Sequence, residues 1–149
     1  MTAVLTLSSI GDLGKVAPLV AAFHSEGALT IEPQRIAAVT HLFEGTPLGA
    51  LYLIGPKVTP IGYVVVSHGF SIEFGGPDAF IDKIYIYTPV RGKGIGVESL
   101  LQICKILKAG GTKAVHLEVD QTNIVAQRLY SRGGYDLRSN YNLMSKELR

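Results

Sequence analysis

Glycine decides what the middle of this chain can become. Between an apolar run, Phe80 to Tyr87, and an amphipathic stretch that begins at Val97 stands Arg91-Gly92-Lys93-Gly94-Ile95-Gly96. The run from Phe80 to Tyr87 is β-branched or aromatic apart from Asp82 and Lys83, which predicts a strand beginning at about Ala79. Thr88-Pro89 ends it, because proline cannot donate to a ladder. Farther on, Val97, Leu100, Leu101, Cys104 and Leu107 recur at helical spacing, and Lys105, Lys108 and Gly110-Gly111 supply a C-terminus. The glycines therefore fall where a strand hands over to a helix.

Such a junction suits an anion. The first helical turn leaves N–H groups without intrahelical partners, the macrodipole adds partial positive charge, and glycines let a phosphate approach the backbone. Arg91 and Lys93 add full charges. Spacing separates the motifs that use this geometry. A P-loop needs Gly-x-x-x-x-Gly-Lys-Ser/Thr, but Gly96 is followed by Val97-Glu98. A dinucleotide fingerprint needs Gly-x-Gly-x-x-Gly, and starts at Gly92 or Gly94 meet Val97 or Ser99 at the third position, although Asp120 does end the next strand. The pattern Arg/Gln-x-x-Gly-x-Gly/Ala is met without gaps by Arg91, Gly94 and Gly96, and it resembles the acetyl-CoA pyrophosphate loop of the GNAT superfamily of N-acetyltransferases.

The resemblance continues past the loop. In that family an asparagine follows the next strand, and the helix after it carries a tyrosine shortly before a glycine and an aromatic; here Asn123, Tyr130, Gly133-Gly134 and Tyr135 stand in that order. The matching motifs run from Gly62 to Tyr135. Gly62-Tyr63, Phe74-Gly75-Gly76-Pro77 and Phe80-Ile81-Asp82 look most like the diamine and polyamine acetyltransferase branch. The resemblance implies acetyl-CoA as cosubstrate, with pantetheine along Ile84, Tyr85 and Ile86, pyrophosphate on Gly92, Lys93, Gly94, Ile95, Gly96 and Val97 beside Arg91, and Asn123 nearby. It also implies Tyr130 as the acid that protonates the leaving thiolate. Dimers are common in the family, so a homodimer is compatible with it.

Patterning predicts the rest of the architecture. A strand over Val4 to Leu7 precedes a helix from Asp12 to about His24 that Gly27 ends, and Pro33 opens a second helix with Ile36, Val39, Thr40 and Phe43 on one face. Leu48 to Ile54 and Gly62 to Val66 read as an antiparallel hairpin. After the glycine run come a strand from Ala114 to Val119, a helix from Asn123 to Ser131 and a last strand around Tyr141 to Ser145. The expected class is α/β, a mixed central sheet with helices on both faces in the order β-α-α-β-β-β-α-β-α-β, and the family resemblance implies the same. With 149 residues, residues 1–149 make one domain.

Acetyl transfer to an amine needs a proton acceptor, because an alkylammonium with a pKa of about 10.4 arrives charged. Strict alternation puts Asp82 on one face with Ile84 and Ile86, and Ile81, Lys83, Tyr85 and Tyr87 on the other. A carboxylate beside isoleucines is costly to desolvate unless paired or facing a cleft. It lies at a wet strand end or pairs with a nearby Lys or Arg, or else it is the general base or amine anchor. The diamine branch carries a glutamate there; aspartate is one methylene shorter, which favours a water relay. Glu73, Glu118, His68 and His116 are the other groups of the right type, each read as solvated or structural. Tyr130 is the family acid or a half-buried packing aromatic, and Asn123 caps a helix whether or not it touches a ligand.

Composition narrows partners and place. A net charge of +2 with scattered basic residues argues against nucleic acid. The one cysteine, Cys104, sits among apolar helix positions, which fits a core residue and a reducing cytoplasm. Met1 to Gly14 lacks a basic n-region, and no stretch approaches the roughly 20 apolar residues of a membrane span. His24, His41, His68 and His116 stand at no metal-ligand spacing, so no metal is expected. The reading is an N-acetyltransferase acting on a small-molecule primary amine. Its rivals are acetylation of a protein N-terminus or lysine, a non-catalytic acyl-CoA-binding module, and a dinucleotide binder.

Overall fold

A computed structural model describes residues 4–26 and 33–148, with the side chains of 20–26 left aside. Its elements are β1 (Leu5–Leu7), a 3-10 turn at Ile10–Asp12, α1 (Leu13–Glu26), α2 (Pro33–Glu44), β2 (Gly49–Ile54), β3 (Gly62–Ser71), β4 (Gly76–Ile86), a 3-10 turn at Thr88–Val90, α3 (Ile95–Ala109), β5 (Ala114–Leu117) and α4 (Ile124–Arg132). The five strands stand in chain order across one sheet. The first four pair antiparallel through short connections, and β5 joins β4 in parallel after the crossover that α3 provides.

Alternation along the central strands divides the core between two faces. Ile54, Val64, Val66, Ala79 and Ile81 meet Ile95, Leu100, Ile103 and Leu107 of α3. Leu51, Leu53, Tyr63, Val65 and Tyr85 point the other way, under Val16 and Leu19 of α1 and Phe43 of α2. Helices cover both faces, as the pattern requires. Leu100 and Ile103 are fully buried, each contributing about 1.5–3 kcal/mol of apolar transfer.

In β4 the alternation breaks. Val65 pairs with Lys83 and Val66 with Ile81, so Asp82 is an extra residue in a β-bulge. Ala79 and Ile81 before it and Ile84 and Ile86 after it reach the same apolar cluster. The expectation that Asp82 shares a face with Ile84 and Ile86, opposite Ile81, is therefore wrong. Burying a carboxylate between isoleucines would be costly, and one inserted residue keeps all four apolar side chains inside while Asp82 stays exposed.

Three other expectations change. No strand forms over Tyr141 to Ser145; Leu137, Tyr141, Leu143 and Met144 are exposed, and β5 has β4 as its one neighbour in the sheet. An apolar pattern becomes a strand only where a ladder partner meets it. Asp12 closes the 3-10 turn rather than opening α1: Ser9 donates its N–H to Asp12 Oδ2 at 2.9 Å, and Lys15 Nζ reaches Oδ1 at 3.3 Å. Those contacts, the Ser9 N–H foremost, hold the Asp12 carboxyl below its ordinary range despite burial. On α2, Val39 and Phe43 pack but Ile36 is exposed. Gly27, the expected end of α1, lies outside the described residues. Among the described residues, no helix is long and apolar enough to cross a membrane.

Candidate active site

The glycine run builds its site from backbone. Gly92 and Gly94 have φ of 81° and 77°, a left-handed conformation that side-chain-bearing residues avoid, and a Cβ at either would meet no protein atom within 4 Å. Space is left on the outside of the turn. Gly94 is the N-cap of α3, and the first helical bond there runs from the Glu98 N–H to its carbonyl at 3.1 Å. The N–H groups of Ile95, Gly96 and Val97 thus have no helical acceptor. Gly96 faces inward: a Cβ on it would stand 3.4 Å from both Ile86 and Leu129, so β4, α3 and α4 converge there. Glu98 in this first turn opposes an incoming anion, and Lys93, exposed beside the turn, favours one.

The edge of β4 opens at the same end. Its ladder with β5 stops at Ile81 opposite Leu117. The Tyr87 N–H donates to the Ile61 carbonyl at 2.7 Å. By antiparallel alternation the polar groups of Tyr85 also face β3, and those of Ile84 and Ile86 face the gap that β5 leaves. Arg91 does not reach outward toward the turn. Its Nε donates to the Ile86 carbonyl at 2.7 Å, and its guanidinium lies 5.4 Å from the Tyr85 ring.

Tyr130 packs half-buried against the cluster that holds Ile84, Ile86 and Leu129. Its ring meets Tyr135 edge-on at 6.3 Å, and burial raises its pKa, so the phenol keeps its proton at neutral pH. Tyr135 in turn shares a 3.5 Å contact with the Cys104 thiol, which places the cysteine in packing, as its helix position implied. Asn123 Oδ1 accepts from the Ala126 N–H at 3.0 Å and caps α4.

On the far side of the bulge, Phe80, Ile81, Asp82, Lys83 and Glu118 line a cavity of about 220 Å³. Its lining carries two carboxylates, Asp82 and Glu118, one ammonium, Lys83, and the Phe80 side chain, so the carboxylates outnumber the cation. The other groups named from sequence stand elsewhere. Glu73 pairs with Arg138 at 2.9 Å, His68 is exposed, and His116 Nε2 lies 3.1 Å from Asp78 Oδ2. Sequence reasoning missed Asp78, Phe80 and Arg138. The His116 and Arg138 partners are 38 and 65 residues away, beyond any local signal. The bulge did leave one: the apolar positions switch parity from 79 and 81 to 84 and 86. Among the described residues no group of three metal-ligating side chains comes together.

Fold and site define a mixed α/β protein in which a glycine turn at a helix start, an unpaired stretch of strand edge and a cavity with two carboxylates stand along β4 and just beyond it. The Acetyltransferase (GNAT) family pattern matches residues 21–135, and the chain belongs to that family. It is an acetyltransferase of a family that generally uses acetyl-CoA. No curated protein matches its sequence. Among solved structures, an integron cassette protein from the mobile metagenome of Cole Harbour Salt Marsh is 28% identical, with 97% of this chain and 90% of that one covered at a TM-score of 0.82. A ribosomal-protein-alanine N-acetyltransferase from Brucella melitensis biovar Abortus 2308 shares the fold at 16% identity, with 99% of each chain covered and a TM-score of 0.73. So does an aminoglycoside acetyltransferase from an uncultured soil metagenomic sample, in complex with sisomicin, at 13% identity, 99% and 97% coverage and a TM-score of 0.80.

Proposed function

We propose that residues 1–149 form one cytoplasmic acetyltransferase unit that moves the acetyl group of acetyl-CoA to a primary amine of a small cationic molecule. The observation that carries this reading is the cavity where β4 and β5 part, in which the carboxylates of Asp82 and Glu118 outnumber the one cation, Lys83, beside Phe80. Gly92 to Val97 take the pyrophosphate, and the groups of Ile84 and the N–H of Ile86, whose carbonyl Arg91 holds, pair with pantetheine. Arg91 stays on the strand end or swings to the phosphate, and Asn123 acts by capping α4 beside the site.

Acetyl-CoA supplies an activated thioester carbonyl. Asp82, through a water, takes the proton from the ammonium, so that the amine lone pair can form the C–N bond as the C–S bond breaks. Tyr130 gives its proton to the departing sulfur, and the second proton, which the nitrogen sheds as the amide forms, restores the phenol through solvent. The bulge supports the first role, since it holds Asp82 out of the core and in the cavity. Diamines and polyamines fit two carboxylates beside an aromatic face, and so does an aminoglycoside, the ligand class of one structural neighbour. A homodimer is compatible with the open edge of β5. Acetylation of a protein N-terminus is the second reading, favoured by the exposed tip at Phe70 and Ile72, which a peptide could follow.

The test has two arms. Calorimetry with CoA should show binding by the wild type and a loss of about a hundredfold or more in Gly94→Glu, where a side chain at positive φ sets a carboxylate against the phosphates. Equal affinities overturn the cofactor assignment. Acetyl-CoA consumption is then followed with spermidine, putrescine, kanamycin and an alanine-ended peptide. Preference for the peptide overturns the small-amine assignment.

A further inference from the structure

A row of planar side chains crosses the molecule from the C-terminal segment to the cavity. The Arg138 guanidinium lies 4.6 Å from the Tyr141 ring and 5.7 Å from the Phe74 ring. Phe74 is 5.4 Å from the His116 ring, and His116 is 5.8 Å from Phe80. Phe80 is a wall of the cavity. Every member comes from a different stretch of chain except the first pair: the C-terminal segment, the β3–β4 turn, β5 and β4.

The centre of the row is fixed from a second direction. Val115 and Leu117 pack into the α3 cluster, so His116 stands on the opposite face of β5, beside its ladder partner Phe80. There its Nε2 meets Asp78 Oδ2 at 3.1 Å. Asp78 lies flat over Gly69, where a Cβ would come 2.7 Å from Oδ1. Any larger residue at 69 would displace the carboxylate. The outer end is held by the 2.9 Å ion pair of Arg138 with Glu73.

We propose that this row, with His116 as its central member, positions the acceptor in the acetyl transfer assigned above, on which the proposal rests. β5 has one strand neighbour and four ladder pairs, the last of them at the lip of the cavity. Backbone pairing alone leaves the Phe80 ring and the end of β5, from which Glu118 reaches the cavity, free to shift. The imidazole, wedged between Phe74 and Phe80 and tied to Asp78, removes that freedom. Its position one ladder step before the opening lets it act on the acceptor side without touching the glycine turn. His116 and Arg138 are positioning residues, since neither lines the cavity.

The experiment measures steady-state constants for the best acceptor among spermidine, putrescine and kanamycin, with CoA affinity by calorimetry, in wild type, His116→Ala, His116→Phe and Arg138→Ala. His116→Ala should raise the acceptor KM about fivefold or more, the scale of losing aromatic contacts, and leave CoA affinity within about twofold. His116→Phe keeps a ring in the row and should recover part of the loss. Arg138→Ala, an exposed change far from the cavity, should raise the acceptor KM less, in the same direction, and it decides the matter should His116→Ala fail to fold. Acceptor KM unchanged in His116→Ala and Arg138→Ala overturns the proposal, as does a parallel loss of CoA affinity, which marks a general loosening. A wild type that binds no CoA, or acetylates none of these amines, overturns the acetyl-transfer reading and this proposal with it.

Discussion

Two stretches of β4, its end at Ile86 and its internal bulge at Asp82, present different groups. Toward Ile86 the strand borders the glycine turn, α3 and Leu129 of α4, a region fastened to the larger apolar cluster and presenting backbone groups. At Asp82 it bulges into a polar cavity shared with Glu118, where Asp82, Lys83 and Glu118 stand outside both clusters. In the acetyl transfer proposed above, the first region takes what every acyl-CoA has in common, and a rigid backbone suits an invariant ligand. In the same proposal the second takes the acceptor, and exposed side chains on a bulge can change without unsettling the core. Mutations near the turn should therefore register in both melts and cofactor binding, whereas those at the bulge should register in kinetics alone.

Tyr130 tests the boundary between the two and carries the largest expected effect. Tyr130→Phe keeps the edge-on packing with Tyr135 and deletes the acidic proton, so turnover should fall about ten- to a thousandfold with CoA affinity unchanged. Turnover within about twofold, under conditions where chemistry limits the rate, would make Tyr130 part of the packed region only.

Asp82→Asn comes next. A loss of about ten- to a hundredfold in kcat/KM is expected, partly restored at high pH where the amine deprotonates unaided, and the melt should move by less than about 0.5 kcal/mol because the residue is exposed. Asp82→Glu should stay active. A large loss of stability in the Asn variant would break the comparison, since the bulge would then belong to the core.

The smallest effect is expected at Asp12, which anchors the start of α1 on the face of the sheet that α1 and α2 cover. Its folded pKa is depressed, so its contribution is present above the unfolded value, about 3.9, and fades as pH falls through the lower folded value. Asp12→Asn should cost about 1 kcal/mol in urea melts at pH 7 and nothing once the pH lies below the folded pKa. A gap that persists in acid would assign the loss to packing rather than charge.

Local chemistry determined much of this protein. The glycine turn, the helix after it with its end at Gly110, Pro33 at the start of α2 and the Asn123 cap are short-range requirements of backbone geometry, and they are legible because all the interacting groups lie within a few residues. The tertiary structure alone decided the rest. Whether Tyr141 to Ser145 became a strand depended on a ladder partner, and none met it. Asp82 left the core because two runs of apolar side chains had to reach one cluster on either side of it. His116, 38 residues from Asp78, acquired a partner only when the crossover through α3 laid β5 beside β4, a contact set by the packing of α3 on the sheet.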